Sequence, residues 1–541
     1  MRKSVIIKAA LSSILVFGIS GCSDIFHKEE NKIETFTSYF ALNGDVISTD
    51  NVIQNLIAEK TGAICIETWQ KSSSSVEDTI KEMITAGKYP DFIYGGSAQQ
   101  ILVNSEALVP LDEYWDEYEN IKNFYSEKEW DKLRSETGHI YYIPPFNNTY
   151  MEEVETEYGG EAFWIQVKVL EWAGFPKIET VEQYFDLIER YLAANPVGAN
   201  GQPNIGYEIL ADGYMYFCLD NPPQFLDGYP DDGCCIVDPD TLTAKDYSTT
   251  PTAEYWFRKL NQEYHKGIID PDFPFLTTER YYEKLATGNV LGMVDQHWNF
   301  AGIEDQLPGD NQYVPLDLVV DKSVTPRYKS TGILDISQGI GISVSCNDVE
   351  SALKFMNELL SPEVLNLRFW GIEGEDYEVD SEGKFYRTDE QRLLHEDVDY
   401  CKSHFCAYRS FPFYTGMNQD GINAFSRDTQ QSEYINSLSS VMKRCLDAYG
   451  VKTTAELINS SGENASWFPM WTYSNTFTTD TIHGKAKSDI DNVKRKYLPN
   501  VVISSDFEKA WENYLNEYNK CNLNSYFSEL TSQIRIRSAE K

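Results

Sequence analysis

The first hundred residues alternate short apolar runs with segments in which apolar positions recur every three to four residues. The helical pattern begins after Asp50, a predicted N-cap, and ends at Gly62; a second begins after Ser75, which matches a capping motif. Strand-like runs cover 36–42, 63–69 and 91–94. This order predicts a parallel sheet covered by helices, with ligands beyond the carboxyl ends of its strands.

A second region with the same alternation begins near Trp164. Asn347 is the predicted cap of one of its later helices, and Pro362 is expected to stop that helix. The pattern predicts helices over 181–194, 252–266, 349–360 and 507–518, and strands over 290–294 and 339–344. The chain is therefore predicted to contain two α/β regions, followed by a mostly helical C-terminal part.

Composition supports a folded protein and argues against one class of partner. Of the 541 residues, 42% are hydrophobic and 24% are charged, which is typical of a globular chain. The formal net charge of −38 repels phosphate backbones, so we expect no nucleic-acid partner. Aromatic residues reach 13%, with 35 Tyr and 11 Trp, and this excess calls for an explanation.

The N-terminal segment resembles a bacterial lipoprotein signal. Basic residues precede an apolar stretch over 9–19, which is too short to span a membrane. It ends in Ile-Ser-Gly-Cys, which resembles a lipobox with Cys22 as the acylated residue. Residues 1–21 are then a cleaved signal peptide, 22–32 a flexible tether, and the lipid the sole membrane attachment. An ordinary signal peptide with an incidental cysteine is the alternative.

The remaining nine cysteines do not indicate a metal site, and they leave open whether disulfides form, with Cys401 and Cys406 the nearest non-adjacent pair. Their number is odd, none forms a CxxC pair, and the seven histidines do not cluster with them. We therefore expect no metal and no cofactor. Sequence motifs of common hydrolases and nucleotide-binding enzymes are missing as well, so the chain is not expected to be an enzyme.

Five short segments, in order along the chain, carry a family resemblance. They are Gly138–Pro144 (GHIYYIP), Phe163–Gly174 (FWIQVKVLEWAG), Lys266–Pro271 (KGIIDP), Gly288–Met293 (GNVLGM) and Trp370–Tyr377 (WGIEGEDY). Together they resemble the bacterial extracellular solute-binding protein family 1, in its large lipoprotein branch, over roughly residues 33–530. The branch usually has Arg where this chain has Gln166 and Asp where it has Lys168. Some relatives also carry an acidic calcium loop, but residues 195–202 hold no carboxylate, so no calcium is expected there.

The resemblance implies an α/β fold of the periplasmic-binding-protein type II kind, with two lobes, a hinge and an interlobe cleft. The chain is expected to cross between the lobes near Ile143-Pro144 and again between Trp298 and Gly339. Lobe one then comprises 33–145 and 335–400, and lobe two comprises 146–334 and 401–541.

The resemblance also implies the function of a substrate-binding lipoprotein of an ABC transporter. Such a protein captures a carbohydrate, here expected to be an oligosaccharide, and delivers it to the transmembrane permease subunits. We expect a monomer, held by its lipid on the extracytoplasmic face of the cell membrane, as on a Gram-positive surface. A sensor or receptor lipoprotein without a transport role, and an extracellular glycan hydrolase, remain as alternatives.

Candidate ligand-binding residues follow from the chemistry of sugars, whose C–H faces stack on aromatic rings and whose hydroxyls bond polar side chains. Trp298 is the first candidate, since it follows the strand at 290–294 and related proteins place a stacking aromatic near there. The other candidates are Trp69, Tyr94, Phe146, Asn147, Trp164, Gln296, Glu67 and Trp370. Each aromatic candidate has a core role as its alternative.

Overall fold

The computed structural model describes residues 33–539, apart from 45, 49, 72–73, 135–137, 149–153, 305, 330–333, 406 and 460–464. The signal peptide, the tether and the lipidation expected at Cys22 lie outside the described residues.

The strands are short and are distributed along most of the chain. They are β1 Glu34–Phe40, β2 Ala63–Trp69, β3 Phe92–Tyr94, β4 Phe146–Asn148, β5 Glu161–Gln166, β6 Ile236–Asp238, β7 Thr243–Lys245, β8 Gly292–Gln296, β9 Tyr313–Leu316, β10 Ile340–Ile342, β11 Glu378–Val379, β12 Phe385–Tyr386 and β13 Phe413–Thr415.

The helices fill most of the remaining regular structure. Up to residue 304 they are α1 Val52–Thr61, α2 Val76–Ala86, α3 Gln99–Asn104, α4 Glu119–Lys122, α5 Glu127–Leu133, α6 Val167–Trp172, α7 Val181–Ala194, α8 Phe217–Asp220, α9 Pro222–Leu226, α10 Pro251–His265, α11 Thr278–Ala286 and α12 His297–Glu304. Beyond it they are α13 Val349–Leu359, α14 Pro362–Phe369, α15 Asp389–Leu394, α16 Val398–His404, α17 Gln431–Ser437, α18 Ser440–Tyr449, α19 Trp471–Ser474, α20 Ile482–Ile503, α21 Phe507–Tyr518 and α22 Leu523–Ala539.

The first sheet has the strand order β10-β3-β1-β2 and confirms the predicted parallel arrangement. β1 runs parallel to both β2 and β3, while β10 is antiparallel to β3. Trp69 and Tyr94 are the last residues of their strands and pair with Phe40 and Ile340, so they lie at the same edge of the sheet.

Two predicted helix caps are wrong by one residue. Asn51, not Asp50, caps α1, because its side chain accepts from the backbone N–H of Gln54 at 2.8 Å. Asp348, not Asn347, caps α13. Pro362 is not the residue at which α13 ends, since that helix ends at Leu359. It is the first residue of α14, where its missing N–H costs no helical hydrogen bond.

The second sheet has the order β8-β5-β9, with the central β5 antiparallel to both neighbours. Helices α7 and α21 match their predicted bounds. The strand predicted at 290–294 runs over 292–296 instead, because Gly292 to Gln296 are the residues that pair with β5.

The four-stranded and the three-stranded sheet each lie in their own hydrophobic core, and the chain passes between these cores three times within the described residues. The first core includes Ile143, and the second begins at Tyr158. The chain returns between Tyr328 and Ile336, and leaves again after Phe411. The last helices, α20 to α22, complete the second core. The two α/β units and their crossings agree with the predicted fold class.

The segment around Tyr408 packs in the first core, although the sequence analysis assigned residues from 401 onward to lobe two. The reason is a long-range contact: the Tyr408 hydroxyl accepts from the backbone N–H of Cys65 on β2 at 3.0 Å. Among the described residues, no helix is both long enough and apolar enough to cross a membrane.

Candidate ligand-binding site

The second sheet presents an exposed tryptophan at the end of β8. This strand ends at Gln296, and α12 begins at the next residue. Trp298 is 54% exposed, and its indole N–H donates to the Oε1 atom of Gln296. The two residues that the sequence analysis placed here are therefore in direct contact, and the amide fixes the edge of the ring.

A buried carboxylate holds the start of this helix in place. Asp295 is fully buried and accepts from the Tyr281 hydroxyl at 2.7 Å, from Nδ2 of Asn299 at 2.9 Å and from the backbone N–H of Gln296 at 2.8 Å. Burial raises the pKa of Asp295 to about 6, and these donors oppose the rise. The network ties β8, α11 and the first turn of α12 into one unit.

Trp164 supports this unit from inside. Its indole N–H donates to the backbone oxygen of Asp295 at 2.7 Å, and its ring stacks on His297 with centroids 5.2 Å apart. Only 2% of Trp164 is exposed. The residue therefore packs beneath the site, and a ligand has no access to its faces in this structure.

Two aromatic residues that were not predicted as candidates lie in the segment 213–217, which approaches Trp298 at Phe217. The Phe217 ring lies 6.5 Å from that of Trp298, and Tyr214 in the same segment is 72% exposed. Tyr282, on α11, donates from its hydroxyl to Oδ1 of Asn299 on α12. The signal for this region was the aromatic run Tyr-Met-Tyr-Phe at 214–217.

Trp69 lies at the corresponding edge of the first sheet, but it is packed on more than one side. Its ring stacks on Phe40 with centroids 4.9 Å apart, and a side chain added at Gly44 would overlap the indole. The indole N–H is buried and has no hydrogen-bond partner among the residues that the structure describes. Trp69 is therefore half-buried under the loop that follows β1.

Tyr94 and Glu67 both face the interior. Tyr94 is 3% exposed and lies in the first core. Glu67 is 4% exposed, and neither carboxylate oxygen has a hydrogen-bond partner within the described chain. Burial raises the pKa of Glu67 to about 8, although the positive charge of Arg368 opposes this. In this structure neither side chain projects from the sheet edge.

Phe146 and Asn147, in the first crossing, differ in how much of their side chain is available to a ligand. Phe146 is 40% exposed and lies opposite Phe413 on the parallel pair β4 and β13. The side-chain amide of Asn147 is already hydrogen-bonded within the protein, since Nδ2 donates to the backbone oxygen of Phe124 and Oδ1 accepts from the N–H of Asn148. Of the two, Phe146 has the surface available for a ligand.

Trp370 is fully buried in a small cluster of its own with Tyr377 and Phe385. Its indole N–H donates to the backbone oxygen of Ala424 at 3.1 Å. The segment 370–377 therefore has a packing role here, and the Trp370 ring has no exposed face.

Gln166 and Lys168, the two residues that differ from the family pattern, both hydrogen-bond to the turn before β8. Gln166 donates to the backbone oxygen of Gly288 at 3.1 Å, and Lys168 donates to the same oxygen at 2.9 Å and to Oδ1 of Asn311 at 3.0 Å. Burial lowers the pKa of Lys168 to about 8. In the loop expected to lack calcium, Oδ1 of Asn200 accepts from Nδ2 of Asn289 at 3.0 Å.

The family model described as bacterial extracellular solute-binding protein matches residues 56–371. The chain belongs to this family. The predicted family membership is thereby confirmed, and it implies a location outside the cytoplasm. No curated protein sequence matches the chain.

Solved structures agree with the fold across nearly the whole chain of this solute-binding protein. An HMO binding ABC-transporter associated protein from Bifidobacterium longum infantis has a TM-score of 0.66 at 13% identity, covering 94% of this chain and 99% of its own. The S. pneumoniae substrate-binding protein FusA, in complex with kestose, has a TM-score of 0.65 at 15% identity, with coverages of 94% and 100%.

A third similar structure is the N-glycan transport protein NgtS from S. pneumoniae, in complex with Man1GlcNAc. Its TM-score is 0.55 at 14% identity, and the match covers 94% of this chain and all of NgtS, 100%. At these identities the similarity establishes the shared fold.

Proposed function

We propose that the protein captures a carbohydrate, of oligosaccharide class, and delivers it to the permease of an ABC transporter. The observation that carries the proposal is the exposed Trp298 ring, held by Gln296 and by the buried Asp295 network at the end of β8. An exposed aromatic face on a rigid base, next to polar side chains, suits the C–H faces and hydroxyls of a sugar ring.

We propose that a second lobe provides the opposite wall of this site. We propose that residues 33–145 and 335–400 form lobe one, extended to Phe411 by the packing of Tyr408, and that the rest of the folded chain forms lobe two. Within the part of the chain that the structure describes, three crossings link the two cores, which suits closure by a hinge around a ligand. Phe146, at the first crossing, and Trp69, at the edge of lobe one, are the proposed contacts opposite Trp298.

The ligand class is also supported by what similar proteins bind. Of the three similar proteins, one is HMO binding and the other two were solved in complex with kestose and with Man1GlcNAc, all of them carbohydrates. The family consists of binding proteins, which favours capture over hydrolysis. Incubating the protein with the sugar that it binds should therefore leave the sugar intact, as checked by chromatography.

We further propose that the protein is a lipoprotein, with Cys22 as its acylated residue after removal of residues 1–21. The support is the Ile-Ser-Gly-Cys sequence behind an apolar segment. Expression of Cys22→Ser should shift the protein from the membrane fraction to the soluble fraction. Retention of the variant on the membrane would contradict the lipid anchor.

A panel of neutral oligosaccharides, with amino acids and short peptides as the comparison set, tests the proposed ligand class. Isothermal titration calorimetry on the purified chain should show binding to at least one oligosaccharide and to none of the peptides. Binding to a peptide, with no response to any sugar, would overturn the proposal.

A further inference from the structure

Two adjacent cysteines and an aspartate come together in the segment before β6. A carboxylate oxygen of Asp232 and the Sγ atoms of Cys234 and Cys235 all lie within 4.8 Å of one another. The sequence predicts no metal here, because an adjacent pair of cysteines does not have the CxxC spacing.

The separations suit one tetrahedral cation. Zinc binds thiolate sulfur at about 2.3 Å, so two sulfur ligands of one ion lie roughly 3.8 Å apart. Side chains that are already within 4.8 Å of one another reach this spacing by small rotations. The thiol of Cys234 donates to Oδ1 of Asp232 at 2.9 Å, which shows that the two ligand groups already face each other.

The surroundings hold the loop in this shape from two sides. Oε1 of Gln224 accepts from the backbone N–H groups of Asp232 and Gly233, at 3.3 and 3.0 Å. Oδ2 of Asp232 accepts from the N–H of Met470 at 2.9 Å. Asp232 is 3% exposed and Cys235 is 1% exposed, so the cluster lies in the protein interior.

A nearby cation moderates the negative charge that such a site would carry. Two thiolates and a carboxylate exceed the charge of a divalent ion by one. The guanidinium of Arg537 on α22 donates to the backbone oxygen of Pro469 at 2.6 Å, next to Met470, whose N–H donates to Asp232. The C-terminal helix thus brings a positive charge to the segment that contacts Asp232.

We propose that Asp232, Cys234 and Cys235 bind one divalent cation of the thiophilic class, such as Zn²⁺, with a water molecule as the fourth ligand. Binding would release one proton from each thiol to the solvent, without any change of oxidation state. The ion would connect the segment before β6 to the Met470 and α22 region of the second core. None of these three residues is among the proposed carbohydrate contacts.

Cadmium alone is a suitable probe, because Cd²⁺ bound to thiolates absorbs in the near ultraviolet. The purified chain is reduced, treated with a chelator, freed of both reagents and titrated anaerobically. The expected result is one equivalent of Cd²⁺ per chain, with thiolate absorption that Cys235→Ser abolishes. The matched control is Cys521→Ser, which removes a half-buried thiol elsewhere in the chain and should leave the titration unchanged.

A second variant keeps the test valid if Cys235→Ser folds poorly. Asp232→Asn retains both thiols and should bind Cd²⁺ at least tenfold more weakly, with circular dichroism confirming the fold of each variant. Absorption of equal strength in wild type and Cys235→Ser, or no uptake by the reduced wild-type chain, would overturn the proposal. So would elemental analysis that finds equal zinc uptake in all variants.

Discussion

The indole N–H of Trp298 donates to the side-chain oxygen of Gln296, two residues earlier in the chain. The bond joins the first turn of α12 to the last residue of β8 and fixes the edge of the ring while its surface remains 54% exposed. An aromatic face held in this way loses little side-chain entropy on binding, which favours affinity.

Trp298→Ala should therefore weaken binding of the best oligosaccharide from the panel. Loss of a central aromatic contact costs about 1–2 kcal/mol, which corresponds to roughly a 5- to 30-fold rise in Kd. Calorimetric titration of wild type and variant measures this change.

Trp172→Ala is the matched control, because Trp172 is 46% exposed on α6 and packs against Tyr191 in the same lobe. It should bind the sugar as wild type does. Unchanged affinity in Trp298→Ala, with a correctly folded variant, would remove Trp298 from the proposed site.

Gly292→Ala should destabilise the second core. A methyl group there would overlap the Tyr184 hydroxyl, which cannot retreat because it is buried and donates to the backbone oxygen of Trp164 at 2.8 Å. Overpacking of this kind costs about 1–3 kcal/mol. Urea unfolding should show the loss as a lower midpoint.

Gly302→Ala provides the matched comparison, since a methyl group there meets nothing within 4 Å and the residue lies in α12. This variant should be as stable as wild type or more stable, by up to about 1 kcal/mol. Equal destabilisation by both substitutions would contradict the packing described at Gly292.

Local sequence patterns predicted those elements whose ends are determined locally. β2, α7 and α21 have the predicted bounds, because their apolar positions and turn residues lie within the element itself. The cap of α1 did not follow from local pattern. Asn51 also donates from Nδ2 to the backbone oxygens of Lys402 and Phe405, about 350 residues away, and no local pattern contains that contact.

The candidate site was predictable to a similar degree. The position of Trp298 after a strand pointed to a sheet edge, and the structure places it at one. The inward orientation of Glu67 was not predictable, because a carboxylate is ordinarily expected on the solvent-facing side of a strand. The core that Glu67 faces includes a charged side chain, that of Arg368. Trp370 looked like a candidate by residue type, yet its neighbours Tyr377 and Phe385 enclose it.

Arg368 is the charged side chain that lies near Glu67 in the first core. Its replacement by Lys should destabilise this core by about 2–4 kcal/mol. The guanidinium donates to four backbone oxygens, and a single ammonium group cannot reproduce this planar arrangement. The acceptors are those of Leu359 at 2.9 Å, Pro412 at 2.8 Å, Tyr408 at 2.6 Å and Phe411 at 2.9 Å.

Differential scanning calorimetry measures this loss, with Arg190→Lys as the control. Arg190 is an exposed member of an ion pair with Asp186, so its replacement should change stability by less than about 0.5 kcal/mol. A thermal transition of Arg368→Lys that coincides with that of wild type would show that the four contacts contribute little.

Glu67→Gln should change the dependence of stability on pH. Burial raises the pKa of Glu67 from its ordinary value of 4.5 to about 8 in the folded protein, so folding takes up a proton between these values. The contribution of Glu67 to stability is complete below pH 4.5 and is lost as the pH rises through 8. The variant lacks this titration. Between about pH 4.5 and 8, wild type should lose up to about 1.4 kcal/mol of unfolding free energy per pH unit relative to Glu67→Gln.

Urea unfolding at pH 5, 6.5 and 8 tests the expected divergence, and Glu82→Gln, at an exposed position on α2, is the matched control. The control should run parallel to wild type at every pH. Because Glu67 has no hydrogen-bond partner within the described chain, the amide forfeits no observed contact, and the difference reports the cost of the buried charge. Parallel curves for wild type and Glu67→Gln would mean that the carboxyl titrates alike in the folded and unfolded chain.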